Sequence, residues 1–320
     1  MSTGGGNRAV IAALLANLGI AATKFVAYAL TQSASMLAEG IHSVADSGNQ
    51  ALLLFGGRRA RREATELHPF GYGRERYVYA FIVSIVLFSV GGLFALYEGW
   101  HKVSNPHPIE SWKWVPVVVL VVAIALESFS LRTAIVESNR ERGRKSWKDF
   151  VRGSRAPELP VILLEDFAAL TGLVFALFGV VLTLITHNGV WDGLGSMAIG
   201  LLLVLVAIFL AVEMKSLLIG ESATVEAQGR IEAAIRSVPG VDQLIHIKTL
   251  HVGPEEVLVA AKLGVAPTDQ AADVAATIDA AEKAIRLAEP TAVHIYLEPD
   301  IYRTGYQPDE RPAVPEPPKH

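Results

Sequence analysis

The chain has 320 residues, of which 51% are hydrophobic and only 19% are charged, and its mean hydropathy is +0.37. The apolar residues form long runs before about residue 219, and several exceed the roughly 18 residues of a membrane-span candidate. This composition excludes an ordinary soluble enzyme. The net charge of −4 gives no basic field for nucleic acid, and the lack of cysteine excludes disulfides, thiolate metal sites and cysteine nucleophiles.

Six apolar runs separated by charge clusters predict a domain of six transmembrane helices over residues 1–218. We place these spans at Asn7–Thr31, Ser33–Gly57, Tyr77–Trp100, Trp114–Ile135, Leu159–Thr186 and Val190–Leu218. Only Gln32 separates spans one and two, and only residues 187–189 separate spans five and six. Each of these two pairs should therefore form an antiparallel hairpin.

The longer connections between spans are basic. The second-to-third and fourth-to-fifth connections carry Arg58, Arg59, Arg61, Arg62, Arg74, Arg76, Arg140, Arg142, Arg144, Lys145, Lys148, Arg152 and Arg155. The opposite connections offer little beyond Lys102 and Lys113. The positive-inside rule then predicts a multi-pass protein with both termini in the cytoplasm, and we expect it in the plasma membrane. The basic loops should meet anionic lipid head groups of the bilayer or acids of the soluble domain rather than nucleic acid.

After Leu218 the composition becomes that of a soluble domain, which we assign to residues 219–304. Apolar periodicity predicts the elements Thr224–Val238, Gln243–Val252, Val257–Val265, Ala271–Leu287 and Ala292–Leu297, in the order α-β-β-α-β. This order predicts an α+β fold, a ferredoxin-like or split-βαβ sandwich with helices on one face of the sheet. The proline-rich residues 305–320 are predicted to be disordered.

Ionisable side chains inside the spans are the candidates for function, because each costs about 2.5 to 3.5 kcal/mol to insert into hydrocarbon. The candidates are Lys24, Glu39, His42, Asp46, Glu98, Glu127, Glu165, Asp166 and Glu213. Glu98 and Glu213 lie near span ends, and Lys24 is long enough to reach an interface or pair with an acid. These three favour a structural explanation.

His42 and Asp46 are four residues apart, so both side chains lie on one helical face and can share an ion. Imidazole nitrogen and carboxylate oxygen suit Zn²⁺, which takes about four ligands. The alternative is a histidine that is simply hydrogen-bonded to its neighbouring carboxylate. Span five supplies Glu165 and Asp166, which point about 100° apart, so at most one should face the ion. Glu127 in span four is the next candidate.

Two sequence strings resemble those of a known family: Ser33-Ala-Ser-Met-Leu-Ala-Glu-Gly-Ile-His-Ser-Val-Ala-Asp46 and His68-Pro-Phe-Gly-Tyr-Gly-Arg74. With six spans and a small αββαβ domain, the chain resembles a cation diffusion facilitator from about residue 8 to 304. The run Leu164–Gly172 further resembles the branch that includes the animal mitochondrial zinc transporter. The resemblance implies a homodimer that exports divalent metal from the cytoplasm in exchange for protons, with the ion between spans two and five.

Position by position, the resemblance implies that His42 and Asp46 are the span-two ligands and that Asp166 is the downstream acid of span five. Ile162 stands where many members place a histidine, so a fourth ligand must be Glu165, Glu127 or water. Other metal sites of the family also have fewer potential ligands in this chain. His68 is better explained as structural, and the soluble domain, with its few histidines, should act mainly in dimerisation.

The leading hypothesis is Zn²⁺/H⁺ antiport by alternating access, because protons and metal compete for His42, Asp46 and Asp166. A second hypothesis keeps the architecture but transports Mn²⁺, Fe²⁺ or Co²⁺, although His42 argues against Mn²⁺. A membrane-tethered metal sensor would leave the intramembrane pair His42 and Asp46 unexplained. An intramembrane metalloenzyme would need a motif such as His-Glu-x-x-His, which the sequence lacks, and no resident cofactor is expected.

Overall fold

The structure is a computed structural model, which describes residues 3–303, with side chains from residue 17 onward. The chain divides into two compact units. The first ends at Gly220 and also contains Val252–Glu255, and the second comprises Glu221–His251 and the chain from Glu256 onward. The predicted disordered segment 305–320 lies outside the described residues.

The first unit is helical. Its elements are α1 (Thr3–Thr31), α2 (Ala34–Ala60), α3 (Glu75–Val86), a π-helical segment (Leu87–Leu93), α4 (Phe94–Ser104), α5 (Trp114–Arg142), α6 (Trp147–Gly153), α7 (Glu158–Thr186) and α8 (Val190–Ile219). Four helical stretches in the described part of the chain are long and apolar enough to cross a membrane: Glu75–Ser104, Trp114–Arg142, Glu158–Thr186 and Val190–Ile219. The first unit is thus a membrane-type helical domain in which four of the six predicted spans meet this criterion.

Helix α2 is long enough to cross a membrane, with 27 residues, but its composition is less apolar than that of these four. Helix α2 carries the ionisable residues Glu39, His42 and Asp46 in its interior and two arginines in its last turn. The hydropathy of α2 is therefore lowered in part by Glu39, His42 and Asp46, the same residues that make this helix a candidate for function.

The third predicted span is one helical stretch, but a π-helical segment interrupts it, which the sequence pattern does not predict. The stretch packs closely on α8 through glycines. A Cβ atom at Gly99 would lie 2.7 Å from the Gly193 carbonyl oxygen, and one at Gly200 would lie 2.8 Å from the Gly92 carbonyl oxygen. Small residues let two helices approach at backbone distance. The extra helix α6 begins where the Ser146 hydroxyl accepts a hydrogen bond from the Asp149 N–H.

The N-terminus of α2 is tied to α8 by Asp192, a fully buried carboxylate. Its Oδ1 accepts hydrogen bonds from the Ser33 hydroxyl at 2.8 Å and the Ser35 N–H at 3.2 Å. Its Oδ2 accepts one from the Ala34 N–H at 2.7 Å. The Asp192 N–H in turn donates to the Thr183 hydroxyl at 2.9 Å. A carboxylate at a helix N-terminus satisfies free backbone N–H groups and complements the helix dipole.

The second unit contains α9 (Val225–Arg236), β1 (Gln243–Gly253), β2 (Glu256–Gly264), α10 (Ala271–Ala288) and β3 (Ala292–Asp300), in the α-β-β-α-β order. The sheet order is β1-β2-β3, and β2 pairs with β3 in parallel, with Val259 opposite Ile295. Ile231 and Ile235 of α9 and Ile285 of α10 are buried in its core. The predicted split-βαβ arrangement is wrong, because α10 crosses over between two directly adjacent strands.

Candidate metal site

One face of α2 carries a stripe of buried polar side chains. Glu39, His42, Ser43, Asp46 and Asn49 follow one another at spacings of three, one, three and three residues, which places them on one side of the helix. We call these five residues the polar stripe. Glu39 and Asn49 are fully buried, and His42 is 2% exposed. Buried polar groups normally have hydrogen-bond partners, so the partners of each member show what it does.

The first part of the polar stripe pairs with α1. The Lys24 ammonium donates a hydrogen bond to Glu39 Oε2 at 2.9 Å and another to Ser43 Oγ at 2.8 Å. Lys24 is 1% exposed, so its charged group does not extend to a surface of the bundle. It forms a buried ion pair with an acid, one of the two structural explanations that the sequence favours.

The middle of the polar stripe holds His42 and Asp46. Nε2 of His42 lies 3.4 Å from Oδ2 of Asp46, without the alignment of a hydrogen bond. Within residues 17–303, neither ring nitrogen of His42 nor Oδ1 of Asp46 has a hydrogen-bond partner. Each unsatisfied buried polar group costs roughly 1–3 kcal/mol. Unpartnered imidazole and carboxylate atoms next to each other are the arrangement expected where a metal ion or a proton binds.

Beyond Asp46 the polar stripe meets α7. The Asn49 amide donates a hydrogen bond to Glu165 Oε1 at 2.7 Å. Glu165 thus contacts α2 at Asn49, which lies three residues, or about 4.5 Å along the helix axis, beyond Asp46. The neighbouring Asp166 turns to α5, where its Oδ2 accepts a hydrogen bond from the Ser130 hydroxyl at 2.9 Å. The two adjacent acids of α7 thus contact different helices, as a rotation of 100° per residue requires.

The five predicted ligands come from three helices and gather in one region of the first unit. Glu165 contacts α2 through Asn49, and Asp166 contacts α5 through Ser130, which follows Glu127 by three residues. Among the described residues, however, no group of three histidine or acidic side chains is arranged to hold a metal ion. The described residues therefore do not form a complete metal coordination site. The ligand set His42, Asp46, Asp166, Glu165 and Glu127 stays a prediction.

Three contacts of this region have no counterpart in the sequence-based site. Asn49 and Ser130 hold the two acids of α7, and Asp192 fixes the start of α2. Asn49 follows Asp46 by three residues on the same face, so helical periodicity could have indicated it. Ser130 and Asp192 have no such signal, because their partners lie 36 and 159 residues away in the sequence.

The remaining metal-site candidates of the sequence do not form a second cluster. His68 is exposed in the loop between α2 and α3, with its ring centroid 4.7 Å from that of Tyr72. In the second unit, the exposed Glu298 forms an ion pair with Lys262 at 2.8 Å. The part of this unit that the structure describes, up to residue 303, contains no arrangement of three potential metal ligands.

Comparison with known proteins decides the family of the chain. Residues 10–219 match the cation efflux transmembrane domain. The chain belongs to the cation efflux, or cation diffusion facilitator, family. Residues 10–219 therefore form the multi-pass membrane domain of this family.

The similar proteins include named metal transporters. Over 232 residues the chain is 34% identical to the proton-coupled zinc antiporter SLC30A9, mitochondrial, of Homo sapiens, covering 72% of this chain and 41% of that protein. Over 249 residues it is 31% identical to metal tolerance protein C4 of Arabidopsis thaliana, covering 77% and 54%. The chain thus spans about half the length of these relatives or less. The solved MamM-CTD 215-293 matches 24% of this chain and 95% of its own, at 22% identity and a TM-score of 0.23.

The relatives give no support to the expected plasma-membrane location. The SLC30A9 proteins that match this chain, from mammals and from Xenopus laevis, are named as mitochondrial. The positive-inside argument concerns only which side of a membrane the loops occupy, so it could not have distinguished one cellular membrane from another.

Proposed function

We propose that this cation transporter exports divalent metal, foremost Zn²⁺, in exchange for protons by alternating access. One observation carries the proposal: His42 and Asp46 of α2 have buried atoms without a hydrogen-bond partner in the described chain, on the helix face that contacts Glu165 of α7 through Asn49. The names of the relatives support zinc and protons as the transported ions, since one group is named as proton-coupled zinc antiporters. In the proposed site, His42 and Asp46 are the ligands from α2, and Asp166, with Glu165, Glu127 or water, completes the set.

Coupling follows from the chemistry of these groups. A metal ion needs a neutral imidazole and ionised carboxylates, so each bound proton removes one ligand. Protons that enter from the far side of the membrane would release the metal there, and their loss to the cytoplasm would restore the empty site. Metal binding should therefore weaken as the pH falls.

The offset between α2 and α7 suggests the movement that transport requires. Glu165 is held by Asn49, about 4.5 Å from the level of Asp46 along the helix axis. A shift of α7 by about one turn along α2 would release Glu165 from Asn49 and bring an acid of α7 level with Asp46. We propose that metal binding draws the two helices into that register, because the ion supplies the differential binding energy that such a shift needs.

The proposal is tested by zinc flux in proteoliposomes with an imposed pH gradient. Asp46→Asn and His42→Ala should each lower proton-driven zinc flux by about a hundredfold, because each removes a proposed metal ligand of α2. The matched control is Glu137→Gln, an acid-to-amide change on the exposed part of α5. Zinc flux and pH dependence that stay unchanged in both site variants would contradict the assignment.

The choice of metal is tested at His42. A His42→Asp variant offers only oxygen from α2, which suits Mn²⁺ better than an imidazole does. We expect it to discriminate less between Zn²⁺ and Mn²⁺ in competition flux assays. An unchanged metal profile would contradict the role of His42 in discriminating against Mn²⁺.

We further propose six spans, both termini on the cytoplasmic side, and a homodimer. The resemblance to the family supports the homodimer, and the basic loops support the orientation. Because the sequence contains no cysteine, single cysteines at Glu66 and Glu110 provide clean reporters for the two sides of the membrane. An impermeant thiol reagent should label them from opposite sides, and labelling of both from one side would contradict the topology.

A further inference from the structure

Lys24 is a buried cation that the proposed transport cycle does not use. It lies on α1 and is 1% exposed, and its ammonium contacts two members of the polar stripe. Burial of a charged ammonium is expensive unless it is paired, and here the pairing is with Glu39 at 2.9 Å. The ammonium therefore belongs to the same polar region as His42 and Asp46.

The partners of Lys24 form a pocket for a cation. A carboxylate oxygen of Glu39 and the hydroxyl of Ser43 lie 2.9 and 2.8 Å from Nζ. The second oxygen of Glu39, Oε1, is buried and has no hydrogen-bond partner in the described chain. It faces α7, since a Cβ atom built at Gly172 would lie 3.1 Å from it. Oxygen ligands with an uncommitted carboxylate atom are what a metal ion would find if the ammonium were absent.

Glu39 is also placed to compete for the transported metal. It precedes His42 by three residues, so the two side chains are neighbours on the helix surface. A carboxylate free to move there would offer α2 a third ligand beside His42 and Asp46. A site with an additional anionic ligand binds a dication more tightly and releases it more slowly.

We propose that Lys24 is a tethered cation that fills the Glu39–Ser43 pocket and keeps Glu39 out of the ligand set of the metal. The inference rests on the proposed function, in which His42 and Asp46 bind the metal. The ion pair of Lys24 and Glu39 then sets the metal affinity of the site. Glu39 neutralises the charge of the ammonium, and the ammonium keeps the Glu39 carboxylate from binding the metal. An ordinary structural ion pair would join α1 to α2 and have no such effect on affinity.

The two explanations differ in the sign of the effects of single substitutions. Lys24→Met frees Glu39, so Zn²⁺ should bind about tenfold more tightly or a second ion should bind per chain. Glu39→Gln leaves the ammonium unneutralised near the site, so Zn²⁺ should bind about tenfold more weakly. The double variant removes both charges and should return to within about threefold of the unmodified protein. If the ion pair were merely structural, its loss would change the Zn²⁺ affinity of both single variants in the same direction.

The experiment is calorimetric titration of the full-length protein in detergent micelles with Zn²⁺ alone. Lys102→Met is the matched control, because Lys102 is also buried but donates to the Gln32 carbonyl, between α1 and α2. It should leave zinc affinity unchanged. Opposite shifts of the two single variants, cancelled in the double variant, would establish the inference. Shifts of the same sign, or no shifts, would overturn it.

Two further outcomes are also decisive. If Lys24→Met does not fold, the Zn²⁺ affinities of Glu39→Gln and of the double variant are compared instead. A higher affinity in the double variant supports the tethered cation, and equal affinities of these two variants overturn it. If the unmodified protein binds no Zn²⁺, the proposed function fails. If it binds Zn²⁺ but the variants show no opposed shifts, only this inference fails.

Discussion

Buried polar groups are fully hydrogen-bonded at the start of α2 but only partly hydrogen-bonded around His42 and Asp46. At the start of α2, both oxygens of Asp192 accept hydrogen bonds from the Ser33 hydroxyl and from the backbone of Ala34 and Ser35. About two turns further along α2, both nitrogens of His42 and one oxygen of Asp46 are buried without a hydrogen-bond partner among the described residues. The same helix therefore contains a fully paired polar cluster and an incompletely paired one.

The difference indicates which cluster stabilises the fold and which is kept available for ions. A satisfied buried carboxylate contributes to stability and leaves its partners unpaired when it is removed. An unsatisfied imidazole costs free energy in the empty protein, and that cost is recovered only when something binds. Substitutions at the start of α2 should therefore change stability most, and substitutions at His42 should change transport with little effect on stability.

The largest expected loss of stability is from Asp192→Ala. It leaves the Ser33 hydroxyl and two N–H groups of α2 without their acceptor, at a cost of about 3 kcal/mol. Thermal unfolding of the purified protein in detergent should show a correspondingly large fall in the midpoint. The control is Ser196→Ala, which removes a single hydrogen bond, 2.9 Å long, to the Ala95 carbonyl and should cost about 1 kcal/mol. Equal effects of the two would contradict the special role of Asp192.

A smaller loss is expected from Gly99→Ala, where the contact is packing rather than hydrogen bonding. The new Cβ would lie 2.6 Å from Met197 Cγ and 2.7 Å from the Gly193 carbonyl oxygen, so α4 and α8 would have to separate. We expect a cost of about 2 kcal/mol in the same unfolding assay. Gly57→Ala is the matched control, because a Cβ there has no atom within 4 Å. It should stabilise α2 slightly, and a similar loss at both glycines would show that the close approach is unimportant.

The second unit also contains a paired carboxylate, Glu289, with an expected contribution to stability of about 1 kcal/mol. Burial raises the pKa of Glu289, but hydrogen bonds from Thr291 and Arg230 outweigh it and hold the pKa below its ordinary value of 4.5. The ionised form is thus bound more favourably in the folded unit than in the unfolded chain. Its contribution is complete above pH 4.5 and is lost as the pH falls through the folded-state pKa.

Glu289→Gln should therefore accelerate amide hydrogen exchange in α10 and β3 at pH 7, measured on the full-length protein. The difference from the unmodified protein should shrink as the pH falls below 4.5. Asp279→Asn, an exposed change on the same helix, should alter exchange little at either pH. A Glu289→Gln effect that grows as the pH falls would contradict the assignment.

The sequence predicts the helices better than their contacts. Apolar runs place α7 and α8 within one residue of their observed ends, because a span needs a fixed length of hydrocarbon-compatible side chains. The π-helical segment has no such pattern in the sequence, and its Gly91 and Gly92 pack against α8, which is more than 90 residues away in the chain. The split-βαβ prediction fails for a similar reason: element order does not specify which strands become neighbours.

The candidate site divides in the same way. The four-residue spacing of His42 and Asp46 is a local property, so the sequence alone brings these two together. The partners of the acids on α7 are not local: Glu165 binds an amide 116 residues away, and Asp166 binds a hydroxyl 36 residues away. These pairings depend on which helices pack side by side and at what level, and a single sequence does not encode either in a readable pattern.

The smallest change in stability, and the sharpest test of the comparison, is expected from His42→Leu. The substitution replaces an imidazole whose two nitrogens have no described hydrogen-bond partner with an apolar side chain of similar size. Stability should change by less than about 1 kcal/mol, or rise, because no hydrogen bond is lost and a desolvation cost is removed. Zinc flux in proteoliposomes should nevertheless fall by about a hundredfold, as expected for His42→Ala. A fall in the unfolding midpoint as large as that of Asp192→Ala would instead place His42 among the residues that hold the helices together.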